Sequence, residues 1–192
     1  MLKDVIMAVT TPICNFGWKA PDFSLRGTDN KIYSLPNAKG LRGILVVFVS
    51  NHCPYVKAIA KRLTTDAKTL QQIGIGLIAI MANDPKQNTE DSFENMTFIA
   101  QDYGFTFPYV FDETQNVARA YDAVCTPDFF GFNSNLELQY RGRLDESGRV
   151  PSSATSRREL VEAMTQVAET GMGPKEQIPS IGCSIKWRPK GI

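Results

Sequence analysis

Cys53 stands directly before Pro54 in the stretch SNHCPYVKA, residues 50–58. It follows an apolar run, GILVVFVS, and opens a stretch with helical spacing. The nucleophile in thiol chemistry is the thiolate, and a free cysteine, with a pKa of about 8.5, is mostly protonated at neutral pH. A helix start offers unpaired N–H groups and the positive end of the helix dipole, and both stabilise an anion. Pro54 suits the first helical position, where its missing N–H costs nothing and its fixed φ starts the turn. His52, when protonated, adds a favourable charge if it faces the sulfur. Val56 holds the place that would complete Cys-x-x-Cys, so the thiol has no partner in its own motif. A cysteine is often an inert core residue. This one lies at the carboxyl end of a buried strand, where open α/β sheets place their sites, and that argues for a reactive thiol.

The other cysteines are Cys14, Cys125 and Cys183, and their spacings give no close pair for a tetrahedral zinc site. His52 is the one histidine, and nothing near it supports a Ser-His-Asp hydrolase. A second chemical feature is VCTPDFF, residues 124–130, where Pro127 heads a strand. Taken alone, a Thr-Pro bond is far more often trans than cis.

These residues need elements to hold them. GILVVFVS, 43–50, and GLIAIMAND, 76–84, lack alternation and read as strands buried on both faces. From Pro54, Val56, Ile59, Ala60, Leu63, Ala67 and Leu70 fall on one helical face. Residues 1–20 read as irregular, and Ile32, Tyr33 and Leu35 after GTDNK suggest a short hairpin. Asp91 and Glu94 predict a capping box for a helix ending near Tyr103, and Ser156 and Glu159 predict another for the last long helix. PYVFDE, 108–113, reads as a strand and TQNVARAYDA as a short helix. Residues 128–144 read as a hairpin turning at Asn133–Asn135. Asp145, Glu146 and Arg149 read as a solvated loop, while Ile178, Ile181, Ile185 and Trp187 argue that the tail packs. The order predicts an α/β sheet covered on both faces. Three segments are expected: an extension over 1–16, a main α/β domain over 17–170 and a tail over 171–192 packed on it.

The chain of 192 residues carries a formal net charge of +1 and is 43% hydrophobic. That suits one folded domain with extensions and leaves no charge footprint for nucleic acid or an anionic membrane. No apolar run reaches the roughly 20 residues needed to cross a bilayer. The N-terminal MLKDVIMAVTTPICNFG is a poor signal peptide, so the expected location is the cytoplasm, where structural disulfides are rare. No metal and no organic cofactor is called for.

The sequence resembles the alkyl hydroperoxide reductase/thiol-specific antioxidant group of thioredoxin-fold redoxins, and within it the peroxiredoxin-like thioredoxin-family proteins of bacteria. The matching stretches are APDFSL (20–25), SNHCPYVK (50–57), AND with ENM (82–84, 94–96), PYVFDETQNVARAY (108–121), CTPDFF (125–130), YRGRLDES (140–147) and PSIGCSIKW (179–187). They cover nearly the whole chain from about residue 17. The resemblance implies a thioredoxin-like fold, with a mixed central sheet between helices, and Cys53 as the reactive thiol. It also implies a cis Thr126–Pro127 bond whose loop packs beside Cys53 and shapes the substrate groove. With Ser50, His52 and Pro54, Thr126 and Pro127 are then the site-shaping residues.

The chain departs from both branches of that group. Ser50 matches the peroxiredoxin hydroxyl, but Val46 replaces the motif proline and Pro127 falls where the peroxide-binding arginine should be. Arg141 and Arg143 assist only if the hairpin folds towards the thiol. Val56 replaces the second thioredoxin cysteine, and Val47 replaces the acid that thioredoxins bury. A resolving thiol must come from elsewhere. Cys125 is the first candidate, on the loop expected beside Cys53, because a disulfide needs Cα atoms within about 7 Å. Cys183 is the second, if the tail wraps back.

Three functions follow. The first is thiol-disulfide exchange on a protein or small-molecule disulfide, completed by a resolving or external thiol reductant. The second is hydroperoxide reduction through a sulfenic acid. The third is a non-catalytic binding scaffold with a vestigial Cys53. The resemblance adds a homodimer as one assembly state.

Overall fold

The structure is a computed structural model, and it describes residues 8–189. Its elements, in chain order, are β1 (Ala8–Thr10), β2 (Ser24–Gly27), β3 (Ile32–Ser34), α1 (Leu35–Ala38), β4 (Gly43–Phe48), α2 (Pro54–Gln72), β5 (Ile75–Met81), α3 (Phe93–Asp102) and β6 (Tyr109–Phe111). They continue with α4 (Asn116–Ala120), β7 (Cys125–Thr126), β8 (Asp128–Asn133), β9 (Leu138–Tyr140), α5 (Glu159–Thr170) and β10 (Ile181–Ser184). The main sheet has the order β3-β2-β6-β5-β4-β8-β9. β4, β5 and β6 run parallel, and the outer pairings are antiparallel.

β4 lies centrally, and all six of its residues are buried, as its unbroken apolar run requires. Alternate residues feed two cores. Leu45 and Val47 face α2, α3 and α5, where they meet Leu63, Met96 and Met164. Ile44, Val46 and Phe48 face the opposite layer with Leu35 of α1, Ala118 of α4 and the rings of Phe130 and Phe132. In α2 the six apolar positions read from the sequence are all buried. Helices therefore cover both faces of a mixed sheet, as expected. The hairpin β8–β9 also turns where predicted, around Asn133, whose side chain accepts from the backbone N–H groups of Asn135 and Glu137.

A second, three-stranded sheet has the order β1-β10-β7. It corrects the reading of residues 1–20 as irregular, because Ala8–Thr10 pair antiparallel with β10. Two strands of so few residues carry no periodicity of their own; their hydrogen bonds come from a segment about 170 positions away. Both predicted capping boxes are also corrected. Ser92, not Asp91, caps α3, its Oγ accepting from Asn95 N. Asp91 ends a 3-10 turn and is turned inward. Arg158 occupies the cap position of α5, while Ser156 accepts from Ser153 N in the preceding loop. Asp145 is not solvated either: it is buried and ion-paired to Arg62 at 2.6 Å.

Candidate functional site

Cys53 is the N-cap residue of α2, with Pro54 at the first helical position. The end of β4 delivers it, and the register Phe48↔Asp128 brings the start of β8 alongside. The Thr126–Pro127 bond is cis. The Cys53 thiol donates to the Thr126 carbonyl at 3.0 Å, and Ser50 Oγ lies 3.1 Å from Thr126 Oγ1. Two residues of the Cys53 segment thus hold the same residue of the proline loop.

The tail completes the site. β10 pairs with β7 so that Cys183 lies opposite Thr126 and Ser184 opposite Cys125. Side chains alternate faces along a strand, while directly paired residues share one. Cys183 therefore points to the face that Thr126 shares with Cys53, and its Sγ lies 2.9 Å from Cys53 Sγ. Cys125, one residue along, faces away, its Sγ 3.5 Å from the Pro127 carbonyl. The strand period reverses the order of the two candidates: Cys183 meets Cys53, and Cys125 does not. All four cysteines are free, and Cys53 and Cys183 are 0% and 2% exposed.

Burial raises the pKa of the Cys183 thiol, and the adjacent Cys53 sulfur raises it further; the Tyr55 backbone N–H at the start of α2 works in the opposite direction. Burial first, then Asp128, raises that of Cys125. Cys14 lies apart from the pair and is pushed up to about 11 by burial, against a hydrogen bond from Gln177.

Glycine at 182 is dictated by this contact. A Cβ there would fall into the Thr126 carbonyl group, 2.5 Å from its carbon and 3.0 Å from Pro127 N. Only a residue without a side chain lets β10 approach the proline loop this closely.

Behind the thiol sits a carboxylate whose role the sequence reading missed. Asp91 Oδ1 accepts the backbone N–H of Asn51 at 2.8 Å and of His52 at 3.2 Å. Its Oδ2 takes His52 Nδ1 at 2.6 Å and Asn83 Nδ2 at 2.9 Å. Burial alone would raise its pKa, but the His52 and Asn83 hydrogen bonds and the charge of His52 hold it below the usual carboxylate range. Tyr109 Oη donates to Asn51 Oδ1 at 2.9 Å, and Asn83 Oδ1 accepts from Lys186 N at 3.0 Å. The network ties the loop before Cys53 to the tail after Cys183. The only hint of it in the sequence is Asn83 at the end of a buried strand; Asp91, within a polar run, gives none.

The assisting roles given to Arg141 and Arg143 are corrected. Arg141 is bound to Asp128 at 3.1 Å and lies over the Phe130 ring, in the core opposite to that of Cys53. Arg143 pairs with Glu159 at 2.5 Å. Trp18 packs on Tyr121, Phe130 and Phe132, and Trp187 lies under the Arg119 guanidinium, so neither covers the thiols. A mostly apolar groove of about 560 Å³ lies beyond Pro127, with Tyr55, Pro127, Phe129, Arg143, Ser180 and Ile181 among its walls; neither Cys53 nor Cys183 lines it. Among the described residues no cluster of three or more His, Cys, Asp or Glu is placed to hold a metal ion.

Comparison with known proteins bears on this geometry. The chain is 26% identical over 123 residues to the thiol-disulfide oxidoreductase ResA of Geobacillus thermodenitrificans (strain NG80-2), a match spanning 64% of this chain and 66% of that relative, just short of two thirds of its length. It is similar to the crystal structure of an uncharacterized conserved protein from Geobacillus kaustophilus, with a TM-score of 0.90 and 40% identity over 96% of this chain and 98% of the other. A putative protein disulfide isomerase from Bacteroides thetaiotaomicron, 16% identical, shares the thioredoxin-like fold at a TM-score of 0.63, over 83% and 93% of the two chains. The AhpC/TSA family model matches residues 16–144, a span that holds Cys53, the cis-proline loop and Asp91 but ends before Cys183, and on that match the chain belongs to the AhpC/TSA family.

Proposed function

We propose that the protein is a thiol-disulfide oxidoreductase in which Cys53 is the nucleophile and Cys183 the resolving thiol. The observation that carries this reading is the 2.9 Å separation of the two sulfurs, against a disulfide bond length of about 2.05 Å. The Cys53 thiolate attacks one sulfur of a disulfide, and the other leaves as a thiolate that takes up a proton. Cys183 then loses its proton and attacks Cys53 Sγ, displacing the second substrate thiolate and leaving a Cys53–Cys183 disulfide. An external dithiol reduces that bond and is itself oxidised. The order follows from placement: Cys53 is the N-cap residue of α2, whereas Cys183 lies within a strand, where burial first and then the Cys53 sulfur favour its protonated form. A cytoplasmic site of action belongs to the same proposal.

Disulfide mapping after stoichiometric oxidation by a small disulfide tests the assignment. A Cys53–Cys183 link is expected in the wild type and in C125S, with no intramolecular link in C53S. In C183S a mixed disulfide on Cys53 should accumulate. A Cys53–Cys125 link, or turnover surviving in C53S, would overturn it.

Family membership favours a second reading, hydroperoxide reduction. The Cys53 thiolate would attack the distal peroxide oxygen, giving a sulfenic acid and an alcohol. Cys183 would then condense with it, releasing water. Arg141 is bound to Asp128 in the opposite core, and the guanidinium of Arg143, which lines the groove beyond Pro127, is paired with Glu159; this ranks the reading second. Peroxide consumption by the reduced protein faster than by a free thiol would promote it.

A further inference from the structure

An extended polypeptide docks on a sheet by laying its backbone along a free strand edge. The edge beside Cys53 belongs to β7, whose Thr126 carbonyl receives the Cys53 thiol. That edge is taken by β10, and the other edge of β10 is taken by β1.

The occupying strand is fixed at both ends. At its start, Thr11 N donates to Ser180 O at 2.9 Å, Ser180 N donates to Thr11 Oγ1 at 3.0 Å, and Ser180 Oγ donates to Pro127 O at 2.8 Å. Beyond its end, Gln115 Nε2 donates to Lys186 O at 2.9 Å, Arg188 N donates to Gln115 Oε1 at 2.8 Å, and Asp84 N donates to Lys186 O at 2.9 Å. Gly182 seats the strand against Thr126 with no room for a side chain. A small oxidant forms no strand pairing and needs no free edge. A polypeptide docking as a strand must first strip β10 from β7 and break these ties.

We propose that β10 is a specificity element: it fills the strand position a polypeptide substrate would need and restricts Cys53 to small-molecule disulfides or other small oxidants. This rests on the Cys53–Cys183 couple proposed above. Gln115, remote from the sulfurs, and Thr11 are the residues through which it can be tested without touching the thiols.

The experiment compares oxidation of the reduced full chain by glutathione disulfide and by insulin. Loss of the Cys53 and Cys183 thiols is followed by mass spectrometry, and each rate is normalised to that of dithiothreitol with the same oxidant. Glutathione disulfide should lead insulin by at least about tenfold. Q115A, or T11V should Q115A fail to fold, should narrow the gap by speeding insulin alone. Equal normalised rates, a lead for insulin, or a gap unmoved in a folded variant would overturn the specificity role while leaving the couple intact. Oxidation of Cys53 and Cys183 by neither disulfide would remove the disulfide-exchange reading and the specificity role with it.

Discussion

Cys53 is placed by its neighbours in sequence, but its surroundings are built by residues far from it. Asp91 is the clearest example, receiving four hydrogen bonds from Asn51, His52 and Asn83. Asp91→Asn keeps the shape but cannot accept all four, since its amide turns one acceptor into a donor. A loss of about 1–3 kcal/mol is expected, measurable by urea unfolding at pH 7. The pH dependence separates charge from packing. The pKa of Asp91 is lowered in the folded state, so the unfolded chain takes up its proton first on acidification. Its contribution is present in full above the ordinary carboxylate range and is lost as pH falls through the lowered folded value. The gap between wild type and D91N should therefore shrink on acidification below about pH 4. A gap constant with pH would mean that Asp91 acts through shape alone.

At the scale of elements, β10 is the part whose position matters most. Its register with β7 decides which cysteine meets Cys53, because a slip of one residue would turn Cys183 away. Gly182→Ala puts a methyl group against the Thr126 carbonyl and must lift the strand. Overpacking of this kind costs about 1–3 kcal/mol. Disulfide formation between Cys53 and Cys183 should slow at least tenfold, roughly the factor of one 1.4 kcal/mol step, with alkylation of Cys53 accelerating as the cover loosens. Stopped-flow oxidation and iodoacetamide labelling measure the two changes. Unaltered rates of both would show that the close approach at Gly182 does not hold the thiols together.

For the whole molecule, stability against pH is set by buried charges that act in opposite directions. Burial pushes Asp128 up to about 6 despite its pairing with Arg141. Between the ordinary carboxylate value of 3.8 and about 6 the folded state holds more protons than the unfolded one, so this contribution falls as pH rises. Removing the guanidinium by Arg141→Ala leaves a buried carboxylate unpaired, at a cost of about 3–5 kcal/mol when it is charged. The cost measured by denaturant unfolding should be larger at pH 8 than at pH 5, where the carboxyl is largely neutral. An equal cost at both would show that the loss is one of packing between Arg141 and Phe130.

Elements whose order comes from local pattern are legible in the amino-acid sequence alone. The apolar run of β4, the six-residue face of α2, Pro54 at its start and the turn at Asn133 each carry a signal within a few neighbours. These suffice to put Cys53 at a strand–helix junction, and the resemblance of its motifs supplied the cis Thr126–Pro127 loop beside it. Pairings between distant, short segments arise only when the whole chain folds. β1 and β10 are three and four residues long, and their strand character exists only through each other and β7. The choice of Cys183 over Cys125 is a matter of strand register, which neither cysteine's neighbours encode. The inward turn of Asp91 and the diversion of Arg141 to Asp128 depend on partners tens of residues or a β-turn away, and local spacing read the first as a helix cap. Local propensity is written in adjacent residues; the meeting of two sulfurs 130 positions apart is set by the packing of the whole chain.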